Sequence, residues 1–292
     1  MKIVLVIPYR GIGDLIFHIP LIRGLSKKYN SKITVITNKV NKAKNLLRND
    51  KSIKKIEYIS FQREKQIKNS FLFYKKINSL KPDICILTAP TRRLIIPLIF
   101  SNSKKKIYFK KDNTRDLSKY IIKQSKIELP NIRFHKNYLL KLEKNKISKK
   151  NIFISIDSRH DSNNWSQIYY IELIKQIFKK KSNNKIFINF DPSKVKTFKK
   201  ILNLFKNEKK IFFTHQSNFN ELITIMNNCS LIIGNESGPI CIGAALKKKV
   251  FSIYYPKHTN KSSKTIYNKV KFFNSDKISS QKIISSILKN IR

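Results

Sequence analysis

The sequence predicts an α/β protein made of two Rossmann-like domains, and three observations carry that prediction. Short runs rich in β-branched residues alternate with longer amphipathic runs, the pattern of βαβ units and parallel sheets. The short runs are apolar throughout instead of alternating, as in strands covered on both faces. The 292 residues hold two such series, each of about 150 residues, a common size for one domain.

In chain order, the first series gives strands over 2–8, 32–37, 54–60, 83–88 and 104–109, with helices over 14–29, 41–49, 63–79 and 91–100 between them. The opening run, Ile3 to Ile7, stops at Pro8 and a glycine turn, so it reads as a buried strand and not as a cleaved leader. A helix over 134–145 follows, and the polar stretch Lys146–Asn151 separates it from the next strand. The domains are therefore placed at 1–148 and 149–292. The second series gives strands over 152–157, 185–190, 209–214, 230–234 and 249–254, with helices over 165–181, 193–206, 218–228 and 238–247. A last helix, 277–290, is expected to pack back on the first domain. Lysine runs such as Lys104–Lys106 and Lys179–Lys181 fall at helix ends and turns, where cations are solvated and favoured.

Composition narrows the function classes. Lys plus Arg is 62 and Asp plus Glu is 17, a formal net charge of +45, while hydrophobic residues make up 41% of the chain. That much apolar material builds a core and excludes a disordered basic tail. Only ten of the basic residues are Arg. Nucleic-acid readers favour Arg for its bidentate fork, and no helix-turn-helix, zinc-finger or aromatic RNP-like spacing occurs. A nucleic-acid-binding protein remains the alternative that charge alone suggests. Cys85, Cys229 and Cys241 form no Cys-x-x-Cys pair, which points to a reducing compartment. No apolar run approaches the ~20 residues of a membrane helix. The expected location is cytoplasmic.

Glycine is scarce, and its placement is informative. All six fall in two windows: Gly11, Gly13 and Gly24, then Gly234, Gly238 and Gly243. Glycine survives where positive φ or a close backbone approach leaves no room for a side chain. The first window, Pro8-Tyr9-Arg10-Gly11-Ile12-Gly13-Asp14, follows a strand and opens a helix. It lacks the third glycine of the dinucleotide fingerprint, and no acidic residue follows the second strand, which argues against a nicotinamide-dependent oxidoreductase. Asp14 has two readings: a first-turn carboxylate stabilising the helix by about 1 kcal/mol, or a general base at the ligand-binding edge of the sheet. His18, one turn later, reads as a packed residue supporting it. The second window, Gly234-Asn235-Glu236-Ser237-Gly238-Pro239, again runs from a strand into a helix start. Its backbone N–H groups suit an anion, Ser237 adds a hydroxyl, and Glu236 suits sugar or ribose hydroxyls.

The two windows together resemble glycosyltransferase family nine, the bacterial ADP-heptose:lipopolysaccharide heptosyltransferases. The matching residues are Ile12-Gly13-Asp14 with Pro20-Leu21-Ile22-Arg23-Gly24-Leu25, and Gly234–Pro239 with Gly243-Ala244-Ala245-Leu246. Weaker echoes lie in family order at His135–Leu139, at Trp165 with Tyr169, Tyr170 and Glu172–Ile174, and at Glu221-Leu222. The resemblance implies a GT-B architecture, two Rossmann-like domains facing across a cleft. It implies an inverting, metal-independent transfer of a heptose or related sugar from a nucleotide-diphosphate donor to a lipopolysaccharide-core-type acceptor, with no cofactor. Asp14 would be the catalytic base; Arg10, Gly11, Gly13 and His18 would form the acceptor or phosphate loop; Asn235, Glu236, Ser237, Gly238, Arg159 and Trp165 would bind the donor. The implied partners are a nucleotide sugar, an anionic glycolipid of lipid A–Kdo type and the inner-membrane surface, with no specific nucleic acid. The sequence contains no Asp-x-Asp to hold a metal with the donor. It departs from the family at Glu236, usually Asp, at Cys241, usually His, and before Trp165, where Asn163-Asn164 replace a usual Lys. It also reduces the usual Gly-Pro-Thr to Tyr255–Thr259. Arg159 or His160 would then have to supply the missing charge, or the donor differs, or activity is lost.

Overall fold

The computed structural model describes residues 1–61, 66–114, 116–129, 140, 151–158, 161, 164–180, 184–254 and 270–291. The chain divides into two compact units, Met1–Leu142 and Glu143–Arg292. In the first, strands β1 (Ile3–Ile7), β2 (Ile33–Thr37), β3 (Ile53–Tyr58), β4 (Ile84–Leu87) and β5 (Lys105–Tyr108) form one sheet in the order β3-β2-β1-β4-β5. Every pairing is parallel. The helices are α1 (Ile12–Lys28), α2 (Ala43–Leu46), α3 (Gln66–Leu80), α4 (Arg92–Ile99) and, after β5, α5 (Leu117–Glu128). β1, β2 and β4 are buried at every position, which is why they read as unbroken apolar runs. Phe73 and Ile77 of α3 and Leu94 and Leu98 of α4 pack on Val4, Val6, Ile36 and Leu87 of the sheet.

The second unit has six parallel strands: β6 (Ile152–Ser155), β7 (Ile186–Asn189), β8 (Ile211–Phe213), β9 (Leu231–Asn235), β10 (Lys249–Tyr254) and β11 (Val270–Asn274). Their order, β11-β10-β9-β6-β7-β8, is the full doubly wound order of a dinucleotide-type sheet. Its helices are α6 (Gln167–Lys180), α7 (Lys199–Phe205), α8 (Phe219–Asn228), α9 (Gly238–Ala245) and α10 (Ser280–Leu288).

The structure differs from the sequence reading at a few elements. α5 and β11 were not expected. The helix expected over 193–206 divides, because the Asp191 side chain accepts from the Ser193 N–H and pins a tight turn at Pro192–Lys194 before α7 begins. The last helix, expected on the first domain, buries Ile283, Ile284 and Ile287 in the second unit's own core, beside α6. The segment 134–145 lies outside the described residues except for Leu140. Among the described residues, no helix is long and apolar enough to cross a membrane.

Candidate functional site

Parallel strands put all their C-terminal ends on one edge, and ligands of such sheets bind where the connections diverge to opposite sides. In the first unit that point lies between β1 and β4, which are neighbours. In the second it lies between β6 and β9. Each glycine window follows one of these strands: Pro8–Asp14 follows β1, and Glu236–Pro239 follows β9.

At the first point α1 starts with Gly11 as its N-cap. The Gly11 N–H donates to Asp14 Oδ2 at 3.0 Å. A Cβ on Gly11 would sit 2.6 Å from that same oxygen, so the glycine makes room for the carboxylate. Asp14 thus fills the capping role, where the helix dipole favours a negative charge. It is half-buried in the first turn of α1. Gly13 is half-buried in the same turn, and Arg10 is exposed.

His18, grouped with the acceptor or phosphate loop and read as a packed residue supporting Asp14, is fully buried. Its Nδ1–H donates to the Asp14 carbonyl at 2.6 Å, and its Nε2 lies 3.0 Å from Thr88 Oγ1, just past β4. Burial outweighs the Asp14 carbonyl contact and lowers the His18 pKa to about 4. A neutral ring that donates through Nδ1 can only accept at Nε2, and the Thr88 hydroxyl also donates to the Val6 carbonyl at 3.0 Å, so His18 and Val6 share its single proton. The Tyr9 hydroxyl donates to the Thr88 carbonyl at 3.1 Å, and its ring lies 5.5 Å from that of His18. Burial, then the nearby Tyr120 and Asp14, raise the Tyr9 pKa, so its hydroxyl stays protonated. Tyr9 and Thr88 escaped the sequence reading. Tyr9 lay within the quoted window, whereas Thr88 carries no signal until β4 is known to pair with β1.

At the second point two residues expected to bind the donor are enclosed by the protein's own side chains. Asn235 is fully buried and acts as a bracket. Its Oδ1 accepts from the Trp165 N–H at 2.8 Å, and its Nδ2 donates to the Ile156 carbonyl at 3.0 Å and to Asn164 Oδ1 at 3.2 Å. Trp165 is 1% exposed. Its indole N–H donates to Ser280 Oγ at 3.1 Å, and its ring packs against Tyr169 and Tyr170. Both side chains shape the loop after β6 and have no surface to offer a ligand. Arg159 and His160 lie outside the described residues, as do Asn163 and Tyr255–Thr259.

The turn after β9 is less enclosed. Glu236, Ser237, Gly238 and Pro239 are half-buried. Ser237 is the N-cap of α9 in extended conformation, yet its side chain makes no capping bond. Its Oγ is buried and has no hydrogen-bond partner among the described residues. The Gly238 and Ile240 N–H groups of the first turn have no acceptor inside a helix, and Pro239 has no N–H to leave over.

One cation was missed. Lys194, in the turn after β7, reaches Asp157 Oδ1 at 2.8 Å, Asp161 Oδ1 at 2.6 Å and the Ser158 carbonyl at 3.0 Å. Burial works against its charge, but the bonds to Asp157 and Asp161 outweigh it and raise its pKa. It braces the loop that carries Asn164 and Trp165. Among the described residues no three His, Cys, Asp or Glu side chains converge as metal ligands would.

Comparison with known proteins adds a family and a fold. The model of glycosyltransferase family 9 (heptosyltransferase) matches residues 111–287, more than half of the chain. No curated protein matches the sequence. Among solved structures, E. coli ADP-heptose lps heptosyltransferase II superposes with a TM-score of 0.77 at 13% identity, covering 100% of this chain and 98% of that one. A glycosyl transferase of family 9 from Veillonella parvula gives 0.77 at 16% identity, covering 100% and 90%. The E. coli heptosyltransferase WaaC, solved with ADP, gives 0.68 at 12% identity, covering 99% and 98%. The fold is of the GT-B type along the whole chain.

Proposed function

Because the chain belongs to glycosyltransferase family 9, the heptosyltransferase family, we propose that it moves a heptose or related sugar from a nucleotide-diphosphate donor to an anionic glycolipid of lipid A–Kdo type. The observation that carries the donor half is the Ser237 hydroxyl, buried without a partner at the start of α9. A buried polar group left unpaired costs about 1–3 kcal/mol, and a diphosphate oxygen there would recover it. The first-turn amides of α9 add oriented donors and the helix dipole. Glu236, a carboxylate, takes sugar or ribose hydroxyls, not phosphate.

Asp14 is the proposed base. Its carboxylate accepts the proton of an acceptor hydroxyl. The oxygen forms its bond to the anomeric carbon opposite the leaving diphosphate, the bond to the diphosphate oxygen breaks, and configuration inverts. The departing ADP carries the electron pair, and the charge it gains is met by Ser237 Oγ and the Gly238 N–H. His18, held to Thr88, fixes the turn that aims Asp14. No step in this scheme calls for a metal. The enzyme would work on the cytoplasmic side of the inner membrane, as its charge and lipid-borne acceptor suggest.

Asn164, standing where the family usually carries the lysine, favours a second reading of the same site, a donor other than ADP-heptose. It is tied to Asp157 and Asn235, and the neighbouring Lys194 is engaged by carboxylates. Calorimetric titration with ADP, ADP-heptose and UDP-sugars separates these readings. ADP is expected to bind, and Ser237→Ala to bind it about tenfold more weakly, the scale of one lost hydrogen bond. Unchanged ADP affinity in Ser237→Ala removes this turn as the phosphate site.

A further inference from the structure

α3 and α4 lie side by side over one face of the first sheet and run parallel. The Ser70 hydroxyl donates to the Arg93 carbonyl at 2.9 Å near their N-terminal ends. The Asn102 N–H donates to Asn78 Oδ1 at 2.8 Å near the C-terminal ends. The inner sides of both helices are spent on the core described above. Their outer sides are also apolar: Ile67, Phe71 and Leu72 on α3, Ile96 and Ile99 on α4, and Phe100 directly after it, are all exposed. Ile67 is 88% and Phe100 72% exposed. The spacings 67/71 and 96/99/100 set each group along one stripe of its helix. Other large exposed apolar residues of the protein, such as Val40, Ile127 and Ile168, are scattered singly. Six on two adjacent helices are more than such scatter, and clustered exposure of this kind marks an interaction surface.

The charge around the stripe identifies its occupant. Neither 66–80 nor 92–111 contains an Asp or Glu. Lys68, Lys75 and Arg92 are exposed on the two helices, and Lys75 Nζ lies 4.6 Å over the Phe71 ring. A second copy of this chain would bring another +45 against the face, so self-association is opposed. Apolar side chains flanked by cations, with no anion among them, match the boundary between acyl chains and anionic headgroups.

We propose that the outer face of α3 and α4 docks on an anionic lipid bilayer. Ile67, Phe71, Ile96, Ile99 and Phe100 enter the headgroup–acyl boundary, while Lys68, Lys75 and Arg92 meet headgroup phosphates. This deepens the reading of a lipid-borne acceptor and rests on it only for its consequence, that the unit carrying Asp14 is the one held at the membrane.

Vesicle co-sedimentation tests it, using phosphatidylethanolamine–phosphatidylglycerol vesicles without glycolipid against pure phosphatidylcholine. The protein is expected to pellet with the anionic vesicles only. Phe71→Ser/Ile96→Ser/Ile99→Ser/Phe100→Ser is expected to lower the partition at least about tenfold, with its melting temperature and ADP binding unchanged. Ile168→Ser/Leu204→Ser, in the second unit, is expected to pellet like the parent protein. Lys68→Glu/Lys75→Glu/Arg92→Glu, which leaves the apolar packing alone, is expected to lose binding as well and serves if the first variant does not fold. Wild-type partition in either face variant overturns the proposal. So does a dimer on gel filtration that the serine variant dissolves, because the face would then belong to a second copy. Failure of the parent protein to bind any nucleotide counts against the glycosyltransferase reading instead and leaves the vesicle result to be judged by itself.

Discussion

His18 shows how a buried side chain can brace the helix turn that carries a candidate site. Its ring joins the first turn of α1 to the end of β4, and burial lowers its pKa to about 4, against an ordinary value near 6.5. The unfolded chain therefore binds a proton on this ring before the folded one does. The stability it contributes is present above about pH 6.5 and is lost as pH falls toward 4. Urea unfolding at pH 7 and pH 5 should show about 2 kcal/mol of that loss, and His18→Gln should be less sensitive to pH by about the same amount. Side-chain type was legible in the sequence, while side-chain direction was not. Asp14 lies in the first turn of α1 and Ser237 at the N-cap of α9, half-buried at the two helix starts. Asn235 and Trp165 sit in equally suggestive positions but point inward, because the loop after β6 needs a bracket. Only the fold decides between those outcomes.

The elements that present the site are held by contacts the glycine pattern foreshadowed. None of the six glycines has positive φ, and at Gly11, Gly234 and Gly243 it is close approach that leaves no room for a side chain. A Cβ at Gly243 would meet the Ile232 side chain at 2.5 Å, and one at Gly234 would overlap the Ser155 carbonyl. α9 and β6 can thus press against β9 from two sides and fix the turn between β9 and α9. α1 is anchored differently. The Arg23 guanidinium pairs with Asp50 through Nη2 at 2.8 Å and Nε at 2.9 Å, with side-chain exposures of 5% and 3%. Arg23→Leu leaves a buried carboxylate uncompensated and should cost about 3–5 kcal/mol by chemical denaturation, with Asp50→Asn added to it restoring part. Apolar strands such as β1 and β9 were legible because both their faces are buried. β11 and α5 were not: β11 is a half-exposed edge strand that mixes Lys271 and Asn274 with its aromatics, and α5 carries three lysines and a weak apolar stripe. Marginal elements of this kind are fixed by the sheet they join, not by local pattern.

Across the whole molecule the formal charge of +45 is the most conspicuous number and the least specific. It attracts the chain to any anionic surface, while the α3–α4 face gives that attraction a direction. The two-domain α/β architecture followed from periodicity alone, and the family from two short windows at the switch points of the two sheets. The central claim is that Asp14 is the base of a sugar transfer whose leaving diphosphate is received by the turn after β9. The most direct measurement is nucleotide release from ADP-heptose with a lipid A–Kdo acceptor, compared between the parent protein and Asp14→Asn. The account predicts acceptor-dependent ADP release that falls by about 10²-fold or more in the variant, with ADP affinity retained. Undiminished release in Asp14→Asn would contradict it.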